Sequence, residues 1–113
     1  MPFLKFNKKT INYTDTGTGK AIVFLHGFTE SLKIWDSFAL QFSKKYRVIT
    51  IDLPGHGKSD SIAAVHSMEL MAGVVYNVLK KLRVRKCLIV GHSMGGYVTL
   101  AFAGKYPKLL RGF

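Results

Sequence analysis

The run Leu88-Ile89-Val90-Gly91-His92-Ser93-Met94-Gly95-Gly96 constrains this chain more than any other feature. An apolar stretch of strand type runs into the pattern G-x-S-x-G, and a helix-type sequence follows from Met94 to about Lys105. Val98, Ala101 and Phe102 fall on its inward face, and Pro107 marks its end. A serine held in a tight turn between strand and helix presents its hydroxyl above the sheet. Such a turn brings the chain so close to itself that side chains two residues before and two after the serine would clash, which accounts for Gly91 and Gly95. The helix points its N-terminus, with free N–H groups and a positive dipole end, at the same spot. The Met94 N–H is therefore expected to help bind the oxyanion formed when Ser93 attacks a carbonyl.

The rest of the chain supplies a frame for this turn. Residues 3–7 and 10–14 read as a β-hairpin, closed by Asp15-Thr16-Gly17-Thr18-Gly19. Ala21–Leu25 is a continuous apolar run, as in a strand buried on both faces. Trp35, Phe38, Ala39 and Phe42 recur at helical spacing and predict a helix over 33–44. Residues 46–51 are rich in β-branched side chains and predict another strand, ended by the turn Asp52-Leu53-Pro54-Gly55-His56-Gly57. Ser67 is the expected N-cap of a long helix. Met68, Met71, Ala72, Val75, Val78, Leu79 and Leu82 line one face of it, away from Glu69, Asn77, Lys80 and Lys81. Strands and helices alternate from Ala21 onward, which predicts an α/β fold with a parallel, helix-flanked sheet.

A second element stands at the end of the earlier strand, Phe24-Leu25-His26-Gly27-Phe28. In an open parallel sheet, ligands bind at the carboxyl ends of the strands. Gly27 lets the backbone turn inward, so the Phe28 N–H is expected to be the second oxyanion donor.

With these motifs in hand the sequence resembles the α/β-hydrolase fold family, in particular its small esterase, acyl-hydrolase and carbon–carbon-hydrolase branch. The resemblance rests on the hairpin, the His26-Gly27 loop, Asp52-Leu53-Pro54-Gly55-His56-Gly57-Lys58-Ser59, and Gly91-His92-Ser93-Met94-Gly95-Gly96, in that order and at the family's approximate spacing. It implies the N-terminal half of that fold, with an N-terminal hairpin and then parallel strands alternating with helices. It implies Ser93 as nucleophile and Phe28 and Met94 as oxyanion donors. Gly91, His92, Gly95, Gly96, His26 and Gly27 shape the turn and the loop, and the Asp52–Ser59 segment is a structural turn with no catalytic step.

A serine hydroxyl needs a general base, usually a His oriented by a carboxylate. In the family these follow the nucleophile in the order acid, then His, yet residues 94–113 contain no Asp, Glu or His. His26 is expected to order the oxyanion loop, His56 to sit in a Gly turn, and His66 to be exposed near a helix start. His92 adjoins Ser93 in a turn where neighbouring side chains diverge, and is not expected to be the base. Leu109–Phe113 reads as the approach to a strand cut short, which would leave one side of the Cys87–Gly91 strand as an apolar edge open to self-association. Residues 1–113 are thus expected to be a single truncated domain, without the later strands, cap, acid and His loops. The function expected of the longer parent is hydrolysis of a small-molecule ester or similar acyl substrate. The alternative is that the 113-residue chain is a non-catalytic fragment or fold-completing partner.

Composition narrows the remaining classes. A hydrophobic fraction of 48% with eight Phe excludes a disordered chain. No apolar run reaches the roughly 18 residues that span a membrane, and the N-terminus lacks a signal-peptide pattern. One Cys excludes a disulfide framework and a Cys-based zinc site. These features point to a cytoplasmic protein. The four His are too dispersed for a metal site, Gly57-Lys58-Ser59 lacks the first Gly of a phosphate-binding loop, and no cofactor is expected. The net charge of +11 raises nucleic acid as a partner. The basic residues fall in scattered pairs along the chain, so a solvated Lys-rich surface is the expected reading.

Overall fold

The alternating apolar residues at the N-terminus pair as antiparallel strands β1 (Phe3–Phe6) and β2 (Lys9–Thr16), in register from Phe3↔Asn12 to Phe6↔Lys9. The structure is a computed structural model and describes residues 3–6, 9–28, 30–61 and 67–112. The expectation for His66 lies outside the described residues.

The apolar runs form the parallel strands β3 (Ala21–Leu25), β4 (Arg47–Ile51) and β5 (Cys87–Gly91). A further strand, β6, spans Leu110–Gly112. The six strands lie in the order β1-β2-β4-β3-β5-β6, antiparallel between β2 and β4 and parallel from β4 to β6. Because β3 is continued by β4 on one side and β5 joins on the other, its carboxyl end is the point where the strand order reverses. Crevices in open α/β sheets form at such points.

Period-two alternation divides the strand side chains between two layers. Ala21, Val23, Leu25, Ile49, Ile51, Cys87 and Ile89 join one buried cluster with helix α2 (Met68–Lys81) and helix α3 (Met94–Lys105). Ile22, Phe24 and Val48 face the other way, onto Trp35. Ser67 caps α2 as expected, its Oγ accepting from the Leu70 N–H at 3.0 Å. Val74 and Thr99 are buried although neither was on a predicted inward face. Helices α2 and α3 pack on each other as well as on the sheet, so each buries more than one stripe. Burial pushes the lone thiol, Cys87, up to about 11 and leaves it inert.

Two sequence expectations need correction. The segment predicted as one helix over 33–44 is a 3₁₀ turn at Leu32–Trp35 followed by the short helix α1 (Asp36–Phe42). Its aromatic stripe stacks on itself and on Phe24 rather than sinking into the core. Trp35 is buried 4.9 Å from the Phe24 ring, whereas Phe38 and Phe42 remain 46% and 37% exposed. Second, the strand read as cut short is formed, since β6 pairs with β5 at Cys87↔Leu110 and Leu88↔Gly112. Only Ile89–Gly91 extend past that pairing. Of the basic groups, Arg83, Arg85 and Lys86 join Lys20, Arg47 and Arg111 around a concavity of about 650 Å³ at the amino ends of the parallel strands. Among the described residues no helix is long and apolar enough to cross a membrane.

The turn after β4 is organised by one buried carboxylate. Asp52 accepts from Asn12 Nδ2 at 2.8 Å, the Leu32 N–H at 2.8 Å and the Lys58 N–H at 2.9 Å, and is 2% exposed. Gly57 has φ +53° and no room for a Cβ, which would lie 2.4 Å from the Asp52 carboxylate. Asp52→Ala strands these donors and is expected to cost about 3 kcal/mol of stability. Urea unfolding measures this, and a midpoint equal to wild type would show that water replaces the carboxylate.

Candidate active site

The parallel register brings the two sequence motifs together. β3 and β5 pair from Ala21↔Cys87 to Leu25↔Gly91, and the His92 N–H continues the ladder by donating to Leu25 O at 3.0 Å. The segments leaving the two strands, His26–Phe28 and His92–Met94, therefore start side by side at the carboxyl edge of the sheet.

Ser93 has φ 57° and ψ −115°, a conformation that residues with a side chain rarely adopt. Such strain costs about 1–3 kcal/mol and persists only where the surroundings hold it. Here they do. A Cβ on Gly91 would lie 2.4 Å from Gly95 O, and one on Gly95 would lie 2.3 Å from Leu25 O. Gly96 is less confined, with 3.8 Å to its nearest neighbour. Thr99 Oγ donates to Gly95 O at 2.7 Å and fixes the first turn of α3 from within. Ser93 is exposed at the tip, and Met94 is the first residue of α3. The Gly95 and Gly96 N–H groups turn back to His92 O and Ser93 O. The Met94 N–H is among the first-turn donors that intrahelical bonding leaves over.

Gly27 stands at close quarters with the site, without a positive φ. A Cβ there would lie 3.2 Å from Ser93 Cβ, 3.3 Å from His92 Nδ1 and 2.5 Å from Glu30 Oε1. The loop after β3 thus abuts the serine directly. Phe28 is 69% exposed, its ring edge-on to His56 at 5.6 Å.

His26 is fully buried and used at both nitrogens. Nε2 accepts from the Leu53 N–H at 2.9 Å, so the proton sits on Nδ1, which donates to Gly27 O at 2.7 Å. The ring joins the loop to the Asp52 turn and has no edge left for substrate. Burial holds its pKa below the ordinary 6.5, only partly offset by the Gly27 hydrogen bond. The unfolded chain therefore takes up this proton first. Stability is expected to be flat above about 6.5 and to decline as pH falls below it. Urea midpoints between pH 8 and 5 check this. The same decline in His26→Gln would assign it to another group.

Glu30, which the motifs did not single out, also reaches the site. Its Oε1 accepts from the Gly27 N–H at 2.7 Å and lies 3.2 Å from His92 Nδ1. The Gly27 N–H first, and His92 second, hold this carboxyl below its ordinary pKa. The His92 ring is otherwise exposed. Among the described residues no three His, Cys, Asp or Glu side chains converge as a metal would need.

A family profile described as alpha/beta hydrolase fold matches residues 20–113. The 2-hydroxy-6-oxononadienedioate/2-hydroxy-6-oxononatrienedioate hydrolase of Burkholderia vietnamiensis is 43% identical over 107 residues, covering 87% of this chain and 36% of that protein. Among solved structures, Est816, an N-acyl homoserine lactone degrading enzyme, superposes with TM-score 0.93 at 34% identity, over 96% of this chain and 42% of that one. A thermophilic esterase from Thermogutta terrifontis gives TM-score 0.88 at 37% identity, over 90% of this chain and 38% of its own. The chain therefore spans well under half the length of these proteins.

Proposed function

This chain belongs to the alpha/beta hydrolase fold family, and from that premise we propose that it carries the nucleophile and oxyanion donors of a serine hydrolase acting on small-molecule esters or similar acyl compounds. The observation that carries the reading is the Ser93 backbone, held at φ 57° on the tip between β5 and α3. In the proposed reaction, Ser93 Oγ attacks the substrate carbonyl, and the Phe28 and Met94 N–H groups take the charge that develops on its oxygen. The alcohol leaves with a proton, and water then releases the acyl group from Ser93. The similar proteins are named for an oxo-dienedioate, an acyl homoserine lactone and esters, all of which present a carbonyl.

Among the described residues no His is free to serve as the general base in this reading: His26 is committed at both nitrogens, His56 Nδ1 faces Pro54 O at 3.1 Å, and His92 Nδ1 faces Glu30 Oε1 at 3.2 Å. We assign the acid and the general base to residues outside those described; this chain spans 36% and 42% of the length of two similar proteins. A fluorophosphonate is expected to form one adduct, on the Ser93 peptide, in a protein that also hydrolyses a short p-nitrophenyl ester. An adduct on a different residue with hydrolysis intact overturns the assignment.

A second reading, that the 113-residue chain by itself is non-catalytic and associates, is favoured by one face of the sheet. Register places Leu88 and Val90 beside Ile22 and Phe24, on the α1 side, and both are 37% exposed. Together with Phe38 and Phe42 they form an apolar surface larger than single exposed residues make. Sedimentation velocity of the isolated chain at micromolar concentration is expected to show dimers or larger species and no ester turnover. A monomer with robust turnover refutes this reading.

A further inference from the structure

The two oxyanion donors proposed above come from different strands, so their spacing depends on what ties the loop after β3 to the turn after β5. Backbone contacts fix the strand ends, through His92 N–H to Leu25 O and the close approach of Gly95 to the same oxygen. Beyond the strand ends, among the described residues, the Glu30 side chain joins the two segments. Glu30 Oε1 meets both the Gly27 N–H and His92 Nδ1, a residue 62 positions away.

The geometry around Gly27 shows what this contact controls. Gly27 C=O and Phe28 N–H belong to one planar peptide unit and point in opposite directions. Whatever holds Gly27 O therefore aims the Phe28 N–H. Gly27 O accepts from His26 Nδ1 at 2.7 Å and from the Glu30 N–H at 3.2 Å, while the Glu30 side chain holds the preceding peptide through the Gly27 N–H. Glu30 thus grips both peptides that flank Gly27. The same carboxylate oxygen reaches the residue immediately before Ser93.

We propose that Glu30 is a positioning residue whose ionised carboxylate ties the Phe28 donor to the Ser93 turn and thereby sets the oxyanion geometry. This rests on the reading of Ser93 as nucleophile. Protonation of Glu30 removes the charge from both hydrogen bonds, and charge-assisted bonds are roughly twice as strong as neutral ones. The titratable groups facing it are His92 from the turn and His26 from the end of β3, with His56 and Asp52 acting on His26 from its other side. The Gly27 N–H and His92 both favour the ionised form, so the tie is complete at neutral pH and loosens only in acid.

The chain contains two Glu, Glu30 and Glu69, so carbon-detected NMR of the side-chain carboxyls resolves both. In the wild-type chain the Gly27, Phe28, Ser93 and Met94 amide signals are expected to move with the Glu30 midpoint, and that midpoint to lie below the ordinary value for a glutamate. His92→Ala should raise it and uncouple Ser93 and Met94, leaving Gly27 and Phe28 coupled. Glu30→Gln should remove the shared titration in this chain and, in the ester-hydrolysing protein, slow fluorophosphonate labelling of Ser93 by about tenfold or more, the scale of a small misplacement. Glu69→Gln should change neither. If the Phe28 and Met94 amides ignore the Glu30 titration, or Glu30→Gln labels at the wild-type rate, the proposal is overturned and Ser93 keeps its role. If the amides follow Glu30 but Ser93 never labels in a protein that hydrolyses the p-nitrophenyl ester, the tie stands and the nucleophile reading fails.

Discussion

Replacing Ser93 with alanine is expected to abolish ester hydrolysis and phosphonate labelling in the protein that carries these residues, a loss on the order of a millionfold in kcat. The same substitution should leave stability near wild type, because alanine keeps the Cβ and with it the strain at φ 57°. Ser93→Gly separates the two effects. Glycine occupies positive φ without steric cost, so that variant should be equally inactive yet more stable by about 1 kcal/mol, after its extra chain entropy is subtracted. Urea midpoints of the three proteins measure the strain directly. Residual hydrolysis in Ser93→Ala at more than a thousandth of wild type would remove Ser93 as nucleophile. A glycine variant less stable than wild type would show that the turn is not strained.

Gly95→Ala is expected to be strongly destabilising, at about 3 kcal/mol. The added Cβ would lie 2.3 Å from Leu25 O and 2.7 Å from His26 O, and both are backbone atoms. Strand β3 cannot retreat from them, because β4 and β5 hold it on both sides. The strain must therefore move α3, and Ser93 with it, so labelling should fall along with stability. Gly104 in the same helix has nothing within 4 Å of a Cβ. Gly104→Ala should stabilise by about 0.5–1 kcal/mol through helix propensity alone. Equal urea midpoints for the two variants would mean that α3 and β3 are less closely apposed than these distances say.

Local features of the sequence and their structural counterparts agree where one element decides the outcome. The hairpin, the apolar strands β3 and β5, the Ser67 cap and the start of α3 all follow from residues within a few positions of each other. Features that depend on distant partners were not legible. Asp52 looks like an ordinary turn residue until Asn12 and Leu32 are brought to it. Glu30 sits three residues past Gly27, a spacing that hints at a local turn, but its contact with His92 exists only because β3 and β5 are neighbours. The α1 aromatics carry a sound helical period, yet period alone does not say whether anything packs over them, and here Phe38 and Phe42 stay open. The basic residues at the strand amino ends mislead in the opposite sense, dispersed along the chain and convergent in the fold.

The register of β3 with β5 also dictates when the strained serine turn comes into being. Neither strand can hold Ser93 at positive φ alone, because the atoms that confine the turn belong to Leu25 and His26 as much as to α3. Pairings between such distant segments form slowly, after their loop-closure cost has been met. A nascent or partly unfolded chain therefore carries an ordinary, unreactive serine, and the strained one appears only on closure of the central strands. Phosphonate capture during refolding would then serve as a clock for that closure.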